Sequence, residues 1–288
     1  MIGNLAGVLF DGIAYGSLLF IIGIGLSVTM GLMNFINLAH GAFAMVGGYI
    51  TMNLMVRAGW SFFLCLPAAF VLTALLGAVL ERLMYRHLYA KPHLDQVLFS
   101  IGLVFVSVAA CDYVMGSQQQ IMQLPKSLTG RIEFAGAGIG VYRLFVIVIC
   151  AVLVSVLQAV LSQTRFGSRL RAAVDDRRVA QGLGIDVDRI FTLTFAVGSG
   201  LAGLGGALGT EVLGLDPTFP LKFMIYFLIV VTVGGTSSMT GPFVAALMLG
   251  VADVAGKYYV PDVGAFIIYA LMVVVLILRP QGLFARAR

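Results

Sequence analysis

The chain has 288 residues, 60% of them hydrophobic and only 11% charged, with a net charge of +5. Soluble domains average about 45–50% apolar and about 25% charged residues, so a water-facing globular domain is excluded. Nucleic-acid binding is excluded as the use of the positive charge, because Lys and Arg lie in short loops between apolar runs, where membrane orientation needs them.

A spanning helix needs about 20 mainly apolar residues. In chain order the candidate spans cover about 12–32, 36–56, 61–80, 97–116, 143–162 and 190–209. The shorter runs 223–234 and 243–256 are two tilted spans or a broken pair, and a last span covers about 264–278. The expectation is an all-α, polytopic transmembrane helix bundle of about eight or nine spanning segments, forming a single transmembrane domain over 1–288. Loops 81–96, 163–189 and 279–288 carry three, six and three of the eighteen Lys and Arg residues. The positive-inside rule then predicts a cytoplasmic C-terminus and an outside N-terminus. The opening MIGNLAGVLFDG has no Lys or Arg, so it lacks the basic region of a signal peptide. Cys65, Cys111 and Cys150 lie in apolar runs without C-x-x-C spacing and read as small core residues.

Four stretches stand out. GLMNFINLAHGAFAMVGGYI, at 31–50, spaces Asn34, Asn37 and His40 three apart, on one helical face. Such groups are costly at membrane depth unless paired. They read either as polar groups of an interrupted helix beside a solute path, with Gly41 loosening it, or as helix caps and an interhelical hydrogen bond. In the loop 163–189, RLRAAVDDRRVAQGLG reads as one helix over 169–184, with Ser168 as N-cap and an end near Gly182 or Gly184. Arg171 with Asp175, and Asp175 with Arg178, are expected ion pairs. This helix is either a solvated surface helix or one that docks on a partner, since it is marginal alone.

FAVGSGLAGLGGALG, at 195–209, repeats small residues every four positions: Gly198, Ala202 and Gly206, then Ser199, Gly203 and Ala207. Two small faces predict two close neighbours. Gly12 and Gly16 are a weaker case. Finally, VGGTSSMTGPFVAALMLG, at 233–250, loosely echoes His40-Gly41-Ala42-Phe43 in Thr240-Gly241-Pro242-Phe243. Asp253 follows within an apolar run and needs a partner or a wet cavity, unless it lies near the outer end.

No P-loop is present, because Gly256-Lys257 runs into Tyr258. No H-E-x-x-H zinc motif and no G-x-S-x-G elbow occurs. Neither a catalytic residue nor a metal ligand set is expected.

Gly31-Leu32-Met33-Asn34-Phe35-Ile36-Asn37-Leu38-Ala39-His40-Gly41 resembles the opening signature of the branched-chain amino acid ABC-transporter permeases. RAAVDDRRVAQGLGIDVDRI, at 171–190, resembles their cytoplasmic coupling loop, through Arg171, Ala172, Asp175, Asp176, Ala180, Gly184 and Ile185. The likeness continues through Phe195 to Gly209 and ends at Arg279-Pro280-Gln281-Gly282-Leu283-Phe284. It implies a multi-pass permease subunit in the bacterial inner membrane, surrounded by lipid, that is not itself an enzyme. A second homologous permease, two cytoplasmic ABC ATPases and a periplasmic substrate-binding protein would be its partners. ATP would be bound by the ATPases, and no cofactor by this chain. Asn34, Asn37, His40, Gly41 and Asp253 would lie along the substrate path. Branched-chain or related small amino acids are the implied substrates, with urea, short amides or aromatic carboxylates as alternatives. A secondary transporter would need paired intramembrane carboxylates, for which Asp253 and Asp112 are the candidates. A structural subunit would tolerate apolar replacement of Asn34, Asn37 and His40.

Overall fold

A computed structural model describes residues 2–33, 35–134, 137–235 and 240–284. Asn34, residues 236–239 of the 233–250 stretch and residues 285–288 lie outside the described residues. Among the described residues the chain forms an all-α bundle with one small hairpin. Its helices are α1 Ile2–Leu32, α2 His40–Val56, α3 Phe62–Leu83, α4 His93–Met115, α5 Val141–Gln163, α6 Arg165–Asp175, α7 Arg177–Gly182, α8 Val187–Leu213, α9 Phe219–Gly234, α10 Thr240–Tyr259, α11 Pro261–Gly264 and α12 Ile267–Leu278. A 3-10 turn, Tyr85–Leu88, follows α3. Among the described residues, α1, α3, α4, α5 and α8 are long and apolar enough to cross a membrane, while α9 and α12 are apolar but shorter.

The small-residue helix is the axis of the bundle. A Cβ on Gly198 of α8 would stand 3.4 Å from Gly25 Cα on α1. A Cβ on Gly206 would run into the Ala44 carbonyl of α2, and one on Gly203 into Thr73 of α3. Ala202 is fully buried between them. Helix α8 therefore has three close neighbours where two were expected. Gly198, Ser199, Gly200, Ala202, Gly203, Gly205, Gly206 and Ala207 leave almost its whole circumference narrow. Helices α1 and α10 meet through a separate small patch, where Gly12, Gly16 and Gly250 bring the backbones together. By contrast α3, α4, α5 and α12 present Leu, Val and Phe outward. That surface is satisfied by lipid tails and would be costly in water.

Two predicted elements outside the charged loop change shape. The expected span 36–56 begins only at His40, because residues 33–39 are not a continuous helix. The expected polar loop 117–142 contains a two-stranded antiparallel hairpin, β1 Arg131–Phe134 and β2 Ala137–Gly140, with Arg131 opposite Gly140. The hairpin lies at the bundle end where α1 and α8 meet α5, since Arg143 pairs with Asp11 and the Tyr142 hydroxyl donates to the Leu208 carbonyl. The opposite, basic end holds the 3-10 turn, α6 and α7, and Asp188 joins the turn to α7.

Candidate functional site

The polar stretch after α1 is tied down atom by atom. Thr29 accepts through its carbonyl from the amides of Met33 and Phe35, both at 3.1 Å. The Ile36 amide donates to Gln96 Oε1 at 3.2 Å. Asn37 is buried, and its Oδ1 accepts from the Ala39 amide at 3.1 Å and the Tyr85 hydroxyl at 3.0 Å. Asn37 Nδ2 has no partner among the described residues. His40 is buried, and its Nε2 donates to the Ile22 carbonyl at 2.7 Å. Because Ile22 lies ten residues before the end of α1, helix α2 starts well inside the bundle rather than at its rim. Gly41 allows the next contact, for a Cβ there would stand 3.1 Å from Pro220 Cα. Helices α2 and α9, only 17 and 16 residues long, thus begin against one another in the interior.

At the hairpin end, five helices (α1, α5, α8, α9 and α10) surround a cavity of about 480 Å³. Asp253 lines it and is buried, with its Oδ2 accepting from Lys257 Nζ at 2.6 Å. Asp253 Oδ1 has no hydrogen-bond partner among the described residues. Lys257 Nζ also stands 5.8 Å from the Tyr15 ring centroid. Arg143 and Lys222 add positive charge, answered by Asp11 and by Asp216 respectively. Asp216 lies between α8 and α9; partial burial works to raise its carboxyl, but hydrogen bonds from Lys222 and Thr218 outweigh that and hold it below the ordinary value. A second cavity of about 940 Å³ lies under the hairpin and shares Asp11, Arg143, Val212 and Val254 with the first. Asn37, His40 and Gly41 line neither cavity.

The charged loop departs from its expected form. It is two helices, α6 and α7, broken at Asp176. Thr164, rather than Ser168, caps α6 by accepting from the Gly167 amide at 3.3 Å. Asp176 leaves the helix and caps α7, its Oδ1 accepting from the amides of Arg178 at 2.9 Å and Val179 at 3.0 Å. A carboxylate placed there satisfies two orphan donors, which is why the helix restarts rather than continues. Gly184 closes α7 with φ +80°, donating to the Gln181 carbonyl, while the Ile185 amide reaches the Ala180 carbonyl at 3.0 Å. Among the described residues, no ion pair joins Asp175 to Arg171 or Arg178. Arg171 instead donates to the Leu161 carbonyl and anchors α6 to α5. Ala180 is buried and Ala172 half-buried, while Val179 on α7 and Leu183 just after it stand 58% and 75% exposed.

Three residues that sequence reasoning passed over hold the basic end together. Asp188 accepts from Arg177 of α7 at 2.8 Å and from Arg86 of the 3-10 turn. Glu81 is buried and accepts from the Tyr89 hydroxyl at 2.9 Å and from Thr192 at 2.6 Å. Gln96, also buried, donates to the carbonyls of Leu88 and Lys91. An acid ending one apolar span, with a Thr opening another, was the available signal.

The chain matches the family model described as branched-chain amino acid transport system / permease component over residues 8–276. It is 30% identical to the high-affinity branched-chain amino acid transport system permease protein BraD of Pseudomonas aeruginosa, over 96% of this chain and 95% of that one. It is 26% identical to the permease protein LivH of Escherichia coli over 96% and 94% of the two chains, and 26% identical to the LivM permease protein of the same organism over 93% and 68%. No solved structure matches the chain. The bundle with its long apolar helices and the full-length match agree: this chain is a multi-pass inner-membrane protein and belongs to the permease components of branched-chain amino acid transport systems.

Proposed function

We propose that this chain is the permease subunit of an ABC importer that moves branched-chain or related small amino acids into the cell, with separate ATPases supplying the energy. The observation that carries the reading is the match to permeases of branched-chain amino acid transport systems along nearly the whole chain. The chain acts as one unit over 1–288 with about eight or nine spans, its N-terminus outside and its C-terminus cytoplasmic. The distribution of Lys and Arg supports that orientation. Two cytoplasmic ATPases dock on the basic end. Support comes from Val179 and Leu183, an exposed apolar pair one turn apart on a short helix and its C-cap. A second permease of the same family and a periplasmic binding protein complete the importer; similarity to both LivH and LivM proteins fits a paired arrangement. Asp253 lines the path, while Asn37, His40 and Gly41 act on it by fixing where α2 and α9 meet.

Reconstitution with the cognate second permease, ATPases and binding protein tests the reading. ATP enclosed with the ATPase side should drive uptake of labelled leucine delivered by its binding protein. Uptake that follows an ion gradient and ignores ATP would overturn it. Orientation is read by labelling Arg177→Cys from outside, in a chain lacking Cys65, Cys111 and Cys150. Little labelling is expected, and strong labelling would reverse the topology.

A further inference from the structure

We infer that the 480 Å³ cavity at the hairpin end is a subsite for the zwitterionic form of an α-amino acid, with Asp253 taking the ammonium and Lys257 the carboxylate. The inference rests on the importer reading and assigns residues to it. Its size falls within the range of about 300–1,000 Å³ typical of small-molecule sites. The deciding feature is the half-used carboxylate of Asp253. One oxygen accepts from Lys257, and the other is buried with no donor among the described residues. A buried acceptor without a donor is costly, and its residue, Asp253, is part of the cavity lining. An ammonium group offers three donors and no acceptor, which matches the missing half of the pair.

Lys257 completes the complement. Its ammonium uses one donor on Asp253 and has two to spare. A bound amino acid would close a ring of four charges: Asp253, the ligand ammonium, the ligand carboxylate and Lys257. Such a ring adds no net charge to the site. A lone anion or a lone cation would leave one charge of the ring unanswered beside the buried Asp253. The remaining charges near the cavity are also matched, Arg143 by Asp11 and Lys222 by Asp216. The rest of the wall includes Leu18, Val146 and Phe223, suited to an aliphatic side chain. The larger cavity under the hairpin adjoins it across Asp11 and Arg143, which belong to both linings, and forms its antechamber.

The test is direct binding of tritiated L-leucine to the assembled complex in lipid nanodiscs, without the binding protein. Saturable binding is expected, displaced by unlabelled leucine. 4-Methylpentanoate, which lacks the ammonium, 3-methylbutylamine, which lacks the carboxylate, and urea should each compete at least tenfold more weakly. Asp253→Asn and Lys257→Gln, checked for assembly by size-exclusion chromatography, should each weaken binding at least tenfold. Equal competition by a singly charged analogue or by urea would overturn the proposal. So would parental binding in both variants, or no saturable binding to a complex that imports leucine with ATP and its binding protein. That last result would leave the importer reading standing and remove only the subsite.

Discussion

His40 Nε2 lies 2.7 Å from the carbonyl oxygen of Ile22, so one imidazole fixes the start of α2 to the middle of α1. Gly25 leaves room for the ring, since a Cβ there would run into His40 Cε1. The next residue, Gly41, rests on Pro220 at the start of α9. One hydrogen bond thereby sets the height at which two short helices begin.

His40→Leu deletes the donor and leaves the Ile22 carbonyl buried. An unsatisfied buried acceptor costs about 1–3 kcal/mol. A lower melting temperature of the detergent-solubilised complex is expected, with a drop in maximal uptake larger than the change in apparent affinity. His40→Gln, which can still donate, should recover part of both. Parental uptake and melting in the Leu variant would show that the bond positions nothing of consequence.

The close approach of α8 to α2 gives a second test. Gly206→Val places a branched side chain against the Ala44 carbonyl. Overpacking of this kind typically costs 1–3 kcal/mol, sometimes more, and assembled permease should fall sharply. Gly102 on α4 is the control, for nothing lies within 4 Å of where its Cβ would be. Gly102→Ala should be neutral or stabilising by about 0.5–1 kcal/mol, because alanine loses less entropy in a helix. Equal yields of both variants in membranes would contradict the packing described.

Asp188 gives a third. It holds α7 to the 3-10 turn through Arg177 and Arg86 at the head of α8. Asp188→Asn removes the charge and keeps the shape. Exposed pairs are worth only about 0–1 kcal/mol each, so assembly should survive. Leucine imported per ATP hydrolysed should fall several-fold, because movement of α7 no longer reaches α3 and α8 as one body. An unchanged ratio would place the transmission elsewhere.

What the sequence revealed follows from where each signal is local. Apolar runs, basic loops and four-residue spacing of small residues are properties of consecutive positions, and they mark α1, α3, α4, α5 and α8. The late start of α2 is different. Asn37 and His40 are visible as costly groups, but Tyr85 and Ile22, which satisfy them, are 48 and 18 residues away. Nothing in the spacing of 34, 37 and 40 separates a helical face from an extended entry. Asp253 could be singled out for its cost, yet its idle oxygen and the cavity beside it exist only once five helices converge. The charged loop failed locally for another reason. Two adjacent acids read as ion-pair partners, whereas one of them bonds the backbone and breaks the helix.

That break makes the final prediction, which separates Asp175 from Asp176. Ion pairing along one continuous helix would make Asp175 the sensitive position. The geometry makes it Asp176, whose Oδ1 takes the amides of both Arg178 and Val179, while Asp175 is exposed. Loss of such a cap costs about 0.5–2 kcal/mol, a large share for a helix of six residues. Asp176→Ala should therefore fray α7 and misplace Val179 and Leu183. Less ATPase should copurify with the permease, and uptake should fall accordingly. Asp176→Asn, still able to cap, should keep most of both, and Asp175→Ala should be close to parental. Copurification and uptake measured together decide the matter. If Asp175→Ala is the more damaging change, the two-helix form does not operate in the assembled importer, and α6 and α7 must join into one helix when the ATPase binds.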